Sequence, residues 1–192
     1  MANHCYNYAT LHGPKDALDM LEERFKSLKD HLWAETYPIV LGITDKTDDV
    51  YADYGSRWFD ATLDRGSDHD AILYGDSAWS PVNAFLLKLS KVYHLTISSE
   101  YEEPGLDFGG FFDCKDGEVT RHDEYEYNEF MMLSGNQEQV FSDMKYNIED
   151  GLYDSFNEFC TDHVKVMKKL SDEDVAYFKS LFEKYKKNEE KD

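Results

Sequence analysis

Asp45, Thr47 and Asp49 stand at alternate positions, the spacing at which an EF-hand loop offers its first calcium ligands. The rest of that pattern is missing. Val50 occupies the sixth position, where the loop needs glycine for its turn, and Ser56 the twelfth, where a bidentate glutamate closes the site. Asp68-His69-Asp70 and His122-Asp123-Glu124 also carry ligand atoms, yet neither run has partners at a recognised metal-binding spacing. They fit a solvated turn and a solvated face. His4 lies next to Cys5, but neighbours on a strand point to opposite sides, so the two cannot form a local nucleophile–base dyad. G-x-S-x-G, the P-loop and G-x-G-x-x-G are missing. With carboxylates so abundant, chance Asp/Glu pairs are inevitable, and a paired-carboxylate hydrolase has no specific support. The expectation is a protein that is not an enzyme, with no catalytic residue, metal site or cofactor.

The carboxylates matter more as a field. The 192 residues hold 40 Asp and Glu against 20 Lys and Arg, a net charge of −20 at pH 7. Such a surface repels nucleic acid and anionic membranes and attracts basic protein surfaces. From Glu100 to Glu129 the acidic side chains are opposed only by Lys115 and Arg121. The candidate partner-binding surface drawn from this stretch is Glu102, Glu103, Asp107, Asp113, Asp116, Glu118, Asp123, Glu124, Glu126 and Glu129. A second acidic block runs from Asp45 through Asp60, Asp64, Asp68 and Asp70 to Asp76, while lysines gather between Lys165 and Lys191. On strands, alternation sets several of these carboxylates on one sheet face, with tyrosines such as Tyr125 and Tyr127 between them. That arrangement spaces negative charge rigidly, as a nucleic-acid backbone does. The plainer alternative is a coat that only keeps the protein in solution.

Beneath the charge lies enough apolar matter for a core. Hydrophobic residues make up 41% and aromatics 15%, which a disordered acidic tail would not carry. Cys5, Cys114 and Cys160 lie far apart without C-x-x-C spacing, which predicts reduced thiols and a cytoplasmic protein. The N-terminus has no charged segment followed by an apolar one, and no apolar stretch approaches the ~20 residues that span a bilayer.

The elements that must position these groups follow from periodicity. Cys5 to Leu11 predicts a strand, stopped at His12-Gly13-Pro14, with Gly13 as N-cap and Pro14 as first residue of a helix. Leu18, Leu21, Phe25, Leu28 and Leu32 give that helix an apolar face. Trp33 to Gly55 has no clear period and is taken as an insertion, broken at Tyr37-Pro38, with Thr47 capping a turn. Phe59, Ala61 and Leu63 alternate with Asp60, Thr62 and Asp64 as a half-buried strand, and Ala71 to Tyr74 is its partner. Ser80-Pro81 opens a second helix bearing Phe85, Leu86, Leu89, Val92 and Tyr93, and a strand follows from Leu95 to Tyr101. The order strand, helix, strand, strand, helix, strand is that of a ferredoxin-like α+β fold, with helices on one face of an antiparallel sheet. Leu106 to Phe112 and Glu118 to Tyr127 add a hairpin about Asp116-Gly117, and Gly109-Gly110 marks a bulge or a close approach. Helical spacing then joins Leu152, Phe156, Phe159, Val166 and Leu170, and Ser171 with Asp174 opens a last helix as a capping box. The expected division is 1–130 for the sheet domain and 131–192 for a helical extension packed on it.

Four segments carry a family likeness: Asn3-His4-Cys5-Tyr6-Asn7, Tyr54-Gly55-Ser56-Arg57-Trp58, Ala78-Trp79-Ser80-Pro81, and Tyr101-Glu102-Glu103-Pro104-Gly105. Over roughly the first 110 residues the chain resembles the YubB ferredoxin-like domain family, Api-like proteins of plasmids and phages. His4 and Tyr54 stand where that pattern has Trp, and Val82 where it has a second Pro. The resemblance implies the fold and a mobile-element origin, hence the cytoplasm of a host cell, and brings no established activity with it. In physical terms the motif residues belong to the architecture, with Trp58 and Trp79 as anchors and Arg57 ion-paired.

Charge and likeness together predict a non-enzymatic acidic protein that binds a basic surface of a nucleic-acid-binding host protein. Its sharpest form is an anti-defence inhibitor, anti-CRISPR-like, that imitates nucleic-acid charge. The alternative is a small-molecule or nucleotide-binding enzyme on a ferredoxin-like scaffold with a pocket near Trp58, Trp79 and Glu103.

Overall fold

The computed structural model describes residues 3–28, 36–43 and 48–189. They belong to two compact units, Met1–Tyr127 and Asn128–Asp192. The first runs β1 (His4–His12), α1 (Lys15–Ser27), α2 (Thr36–Leu41), α3 (Val50–Tyr54), β2 (Phe59–Arg65), β3 (Asp70–Ala78), α4 (Asn83–Tyr93), β4 (Thr96–Glu103), β5 (Phe108–Lys115) and β6 (Glu118–Tyr125). The strands form one six-stranded sheet in the order β2-β3-β1-β4-β5-β6. Every neighbouring pair is antiparallel. β1 through β4 with α1 and α4 make the ferredoxin-like α+β arrangement, with β1 central, and the β5–β6 hairpin widens the sheet beyond β4.

Strand alternation decides what is buried. Cys5, Asn7, Ala9 and Leu11 of β1 turn to one side, and Leu73, Ile97, Tyr101 and Phe112 join them from neighbouring strands. Leu18 and Leu21 of α1 and Phe85, Leu86 and Leu89 of α4 close over that side. Burial at these positions, at about 25 cal/mol per Å² of apolar surface, is the main force holding helices to sheet.

Several element boundaries differ from expectation, each for a local reason. Pro14 itself is the N-cap of α1, in extended backbone, so its missing N–H falls outside the helix. Of the apolar positions expected on α1, Leu32 lies outside the described residues. Pro38 does not break structure. It sits in the first turn of α2, where a proline removes no helical hydrogen bond, and Tyr37, Val40 and Leu41 from this short helix enter the core. Thr47 lies outside the described residues, and Asp49 caps α3 by accepting from the Ala52 N–H at 3.0 Å. The stretch taken as an insertion thus supplies core. Ser80 caps no helix: its hydroxyl donates to the Gly55 carbonyl at 2.5 Å, and α4 begins three residues later. Val92 is exposed rather than part of the apolar face. Pro104–Leu106 is a 3-10 turn, not strand. Gly110 marks a close approach, because a Cβ there would strike the Tyr101 hydroxyl and the Asp123 carbonyl. The bulge lies instead between Asp113 and Cys114.

The second unit contains most of α5 (Tyr127–Leu133), then α6 (Gln137–Glu149), α7 (Phe156–Asp162), α8 (Val164–Met167) and α9 (Asp172–Glu189). Val140, Met144 and Ile148 of α6 are buried, as are Phe159, Val166 and Phe178. Ser171 and Asp174 form the reciprocal cap: the Ser171 hydroxyl accepts from the Asp174 N–H at 3.1 Å, and the Asp174 carboxylate from the Ser171 N–H at 3.3 Å. A second cap starts α7: the Ser155 hydroxyl accepts from the Glu158 N–H and the Glu158 carboxylate from the Asp154 N–H, so the helix begins at Phe156 and Leu152 lies exposed outside it. Cys5, Cys114 and Cys160 are unbridged. Among the described residues no helix is long and apolar enough to cross a membrane.

Candidate functional site

The side of the sheet opposite α1 and α4 is built by the same alternation that builds the core. Its central strand presents Tyr6, Tyr8, Thr10 and His12. Tyr6 pairs with Asp76 on one side and Glu102 on the other, and Tyr8 with Tyr74 and Glu100. Asp76 faces Asp60 across β2, while Ile72 faces Asp64. In the other direction Glu100 pairs with Phe111 and Ser98 with Asp113, and these reach Asp123 and Arg121 on β6. Cross-strand partners share a face, with Cα atoms about 5 Å apart between strands and roughly 7 Å apart at i, i+2 along one. The outcome is a fixed grid of carboxylates with aromatic rings at its centre.

The grid is not flat. A groove of about 390 Å³ is lined by Thr10, His12, Asp70, Ile72 and Thr96 among others. A second, of about 280 Å³, is lined by Tyr8, Glu100, Phe111, Asp113 and Arg121. Thr10 and Ser98, small side chains of β1 and β4, line both.

Most exposed carboxylates here have partners. Asp76 lies 3.4 Å from Nδ1 of His4, and Asp70 lies 2.8 Å from Nδ1 of His12. The Tyr74 hydroxyl donates to Asp64 at 3.1 Å, and Nε of Arg121 donates to Asp123 at 2.6 Å. Arg121 also lies over the Phe111 ring, 4.2 Å from its centroid. Glu100 and Glu102 differ: both are half-buried, and burial raises the pKa of each. Glu100 adds its own repulsion to Glu102. A half-buried carboxylate beside tyrosine and phenylalanine rings is a site for a cation.

The acidic residues singled out from the hairpin region do not share one surface. Glu102, Asp113 and Asp123 lie on this face, and Glu118 joins them by pairing with Lys115. Glu103 points to the helix side, 3% exposed, where its carboxylate accepts from the Leu106 N–H and holds the 3-10 turn. Asp107 ends that turn in left-handed backbone and accepts from the Tyr127 N–H at 3.3 Å. Asp116 sits in the β5–β6 turn, 3.2 Å from Nδ1 of His94. Glu124 pairs with Gly110 and so lies on the helix side, while Glu126 follows β6 as an exposed residue. Glu129 belongs to the second unit and pairs with Lys169 at 3.2 Å. Tyr125 shares the grid's side, but Tyr127 opens α5. Glu100, Asp60, Asp64, Asp76 and the tyrosines of β1 complete the face. Their signal was the even positions of Tyr6, Tyr8 and Thr10, legible only once β3 and β4 flank β1.

The other chemical candidates resolve into structure. In His122-Asp123-Glu124 alternation splits the run, with His122 edge-on to Phe112 on the helix side, 5.5 Å between centroids. His69 donates to the Gly13 carbonyl at 3.1 Å, tying its turn to the end of β1. The family-like motifs meet at one corner. Asn7 donates to the Cys5 carbonyl and to Ser77 Oγ, both at 2.9 Å, and accepts from the Val82 N–H at 3.1 Å, so it ties β1 to the start of α4. Trp79, 45% exposed with φ 66°, donates its backbone N–H to the Asn3 carbonyl. Trp58 lies edge-on to His4 at 5.4 Å. Arg57 is exposed and makes no ion pair with a described residue, contrary to expectation. In the second unit the Tyr153 hydroxyl donates to Asp162 at 2.6 Å and lies 3.1 Å from Nε2 of His163, whose burial lowers its pKa.

Comparison with known proteins bears on the sheet. Residues 58–144 match the family model for the ferredoxin-like domain in Api92-like protein. The match begins at Trp58, takes in β2 through β6, and ends in α6. It is to this Api92-like type of domain and does not confirm the YubB family. The chain is also similar in fold to the crystal structure of a protein Api92 from Yersinia pseudotuberculosis, with a TM-score of 0.44 and 10% identity. That similarity covers 65% of this chain and 98% of the other. No curated protein matches the sequence.

Proposed function

We propose that the protein acts by binding, and that the tyrosine-centred acidic face of the sheet takes a basic surface of another protein. The observation that carries this reading is the cross-strand line Tyr8, Glu100, Phe111 and Asp123, in which Glu100 is half-buried between rings and has no bonded cation among the described residues. Holding such a carboxylate in place costs solvation, and a partner's cation repays it in the complex. The net charge of −20 makes nucleic acid itself a poor ligand and a nucleic-acid-binding protein of the cell a fitting one.

The test is capture from host lysate on the immobilised protein at low and high salt, with the retained proteins identified by mass spectrometry. The reading predicts nucleic-acid-binding proteins held at low salt, released at high salt, and competed off by free nucleic acid. A nuclease among them narrows the function to an anti-defence inhibitor acting in the cytoplasm of the host. Partners that resist salt, or that nucleic acid fails to displace, would contradict it.

A further inference from the structure

The groove beside Glu100 has a more specific chemistry than its charge. Its volume is about 280 Å³, and its lining brings two rings, Tyr8 and Phe111, together with two carboxylates, Glu100 and Asp113. One side chain of the protein already sits between such a ring and a carboxylate. Arg121, which lines the groove, lies 4.2 Å from the Phe111 ring centroid and gives its Nε–H to Asp123 at 2.6 Å. A guanidinium can make both contacts at once because it is planar, forked and weakly hydrated, whereas an ammonium is compact and holds its water. Glu100, paired with Phe111 on one side and Tyr8 on the other, offers the same combination of ring and carboxylate.

We infer that this groove is a subsite for an arginine side chain of the partner, and that Arg121 is the resident guanidinium which competes for it. The inference rests on the basic-surface reading above and adds selectivity for arginine over lysine. In the complex the incoming guanidinium lies against Glu100 and takes up the Phe111 ring, and Arg121 withdraws toward Asp123 and solvent.

The experiment titrates the full-length protein with blocked (Gly-Arg)3 and (Gly-Lys)3 peptides of equal charge, at low salt. Wild type is expected to prefer the arginine peptide. Arg121→Lys keeps the net charge but removes the competing planar group, and should tighten arginine-peptide binding about fivefold, leaving the lysine peptide unchanged. Glu100→Gln, with circular dichroism confirming its fold, should abolish the preference. Equal binding of the two peptides by wild type, or a gain in Arg121→Lys shared by both, would overturn the subsite and leave the basic-surface reading standing. A preference that Arg121→Lys fails to sharpen would overturn the role given to Arg121. No salt-sensitive binding of either peptide would overturn both readings.

Discussion

Glu100 and Glu102 are carboxylates that folding disfavours, and the cost has a sign that can be measured. Burial raises their pKa above the ordinary carboxylate value, so the folded state favours their protonated form. Their contribution to stability is therefore fullest below the ordinary value and is lost as pH rises through the raised one. Glu100→Gln is expected to raise the midpoint of thermal unfolding at neutral pH by roughly 1–3 °C, and to leave it unchanged in acid below the carboxylate range. A lower midpoint at neutral pH would mean that Glu100 has a stabilising partner. The same substitution is expected to weaken binding of the basic partner, and the two results together would mark a residue that trades stability for binding. At this scale the sequence showed that Glu100 is acidic and on a strand. Its surroundings were not legible, because Tyr8 comes to one side from the first strand, far away in sequence, and the pairing with Phe111 on the other depends on the β4–β5 register.

At the scale of elements, Asn7 is the strut between β1 and α4, buried at 3% exposure with three hydrogen bonds to strand, neighbour and helix start. Asn7→Ala leaves the Val82 N–H without an acceptor and is expected to cost about 1–3 kcal/mol, read as a lower urea midpoint at unchanged slope. An unchanged midpoint would show that water replaces the side chain. The elements that carry long periodic patterns, α1, α4, β2 and β4, were legible in advance. Gly109-Gly110 left a bulge and a close approach open, and the structure has the close approach, of Tyr101 to Gly110. α2 and α3 were not, since helices of six and five residues show too little period, and Pro38 in a first turn looks like a break. The bulge at Asp113 and Cys114 carries no glycine to announce it.

At the scale of the whole molecule, a net charge of −20 states that a basic partner is favoured without saying where it binds. Position along the chain misleads here. Neighbouring acids in the hairpin region are divided between the two sides of the sheet and the second unit, as Asp123, Glu124 and Glu129 show. Register decides which carboxylates act together, and register is a long-range property that one sequence does not display. If function lies on the face, the remaining charge is only solubilising. The most direct measurement compares two variants that each lose three negative charges. One is Asp60→Asn, Glu100→Gln and Glu102→Gln on the face. The other is Asp16→Asn, Glu23→Gln and Asp172→Asn, all exposed residues of α1 and α9. Binding of the salt-released partner should fall more than tenfold in the first and less than twofold in the second, as buried and surface charges differ in coupling. Equal losses in both would contradict the account, because net charge alone would then explain the binding.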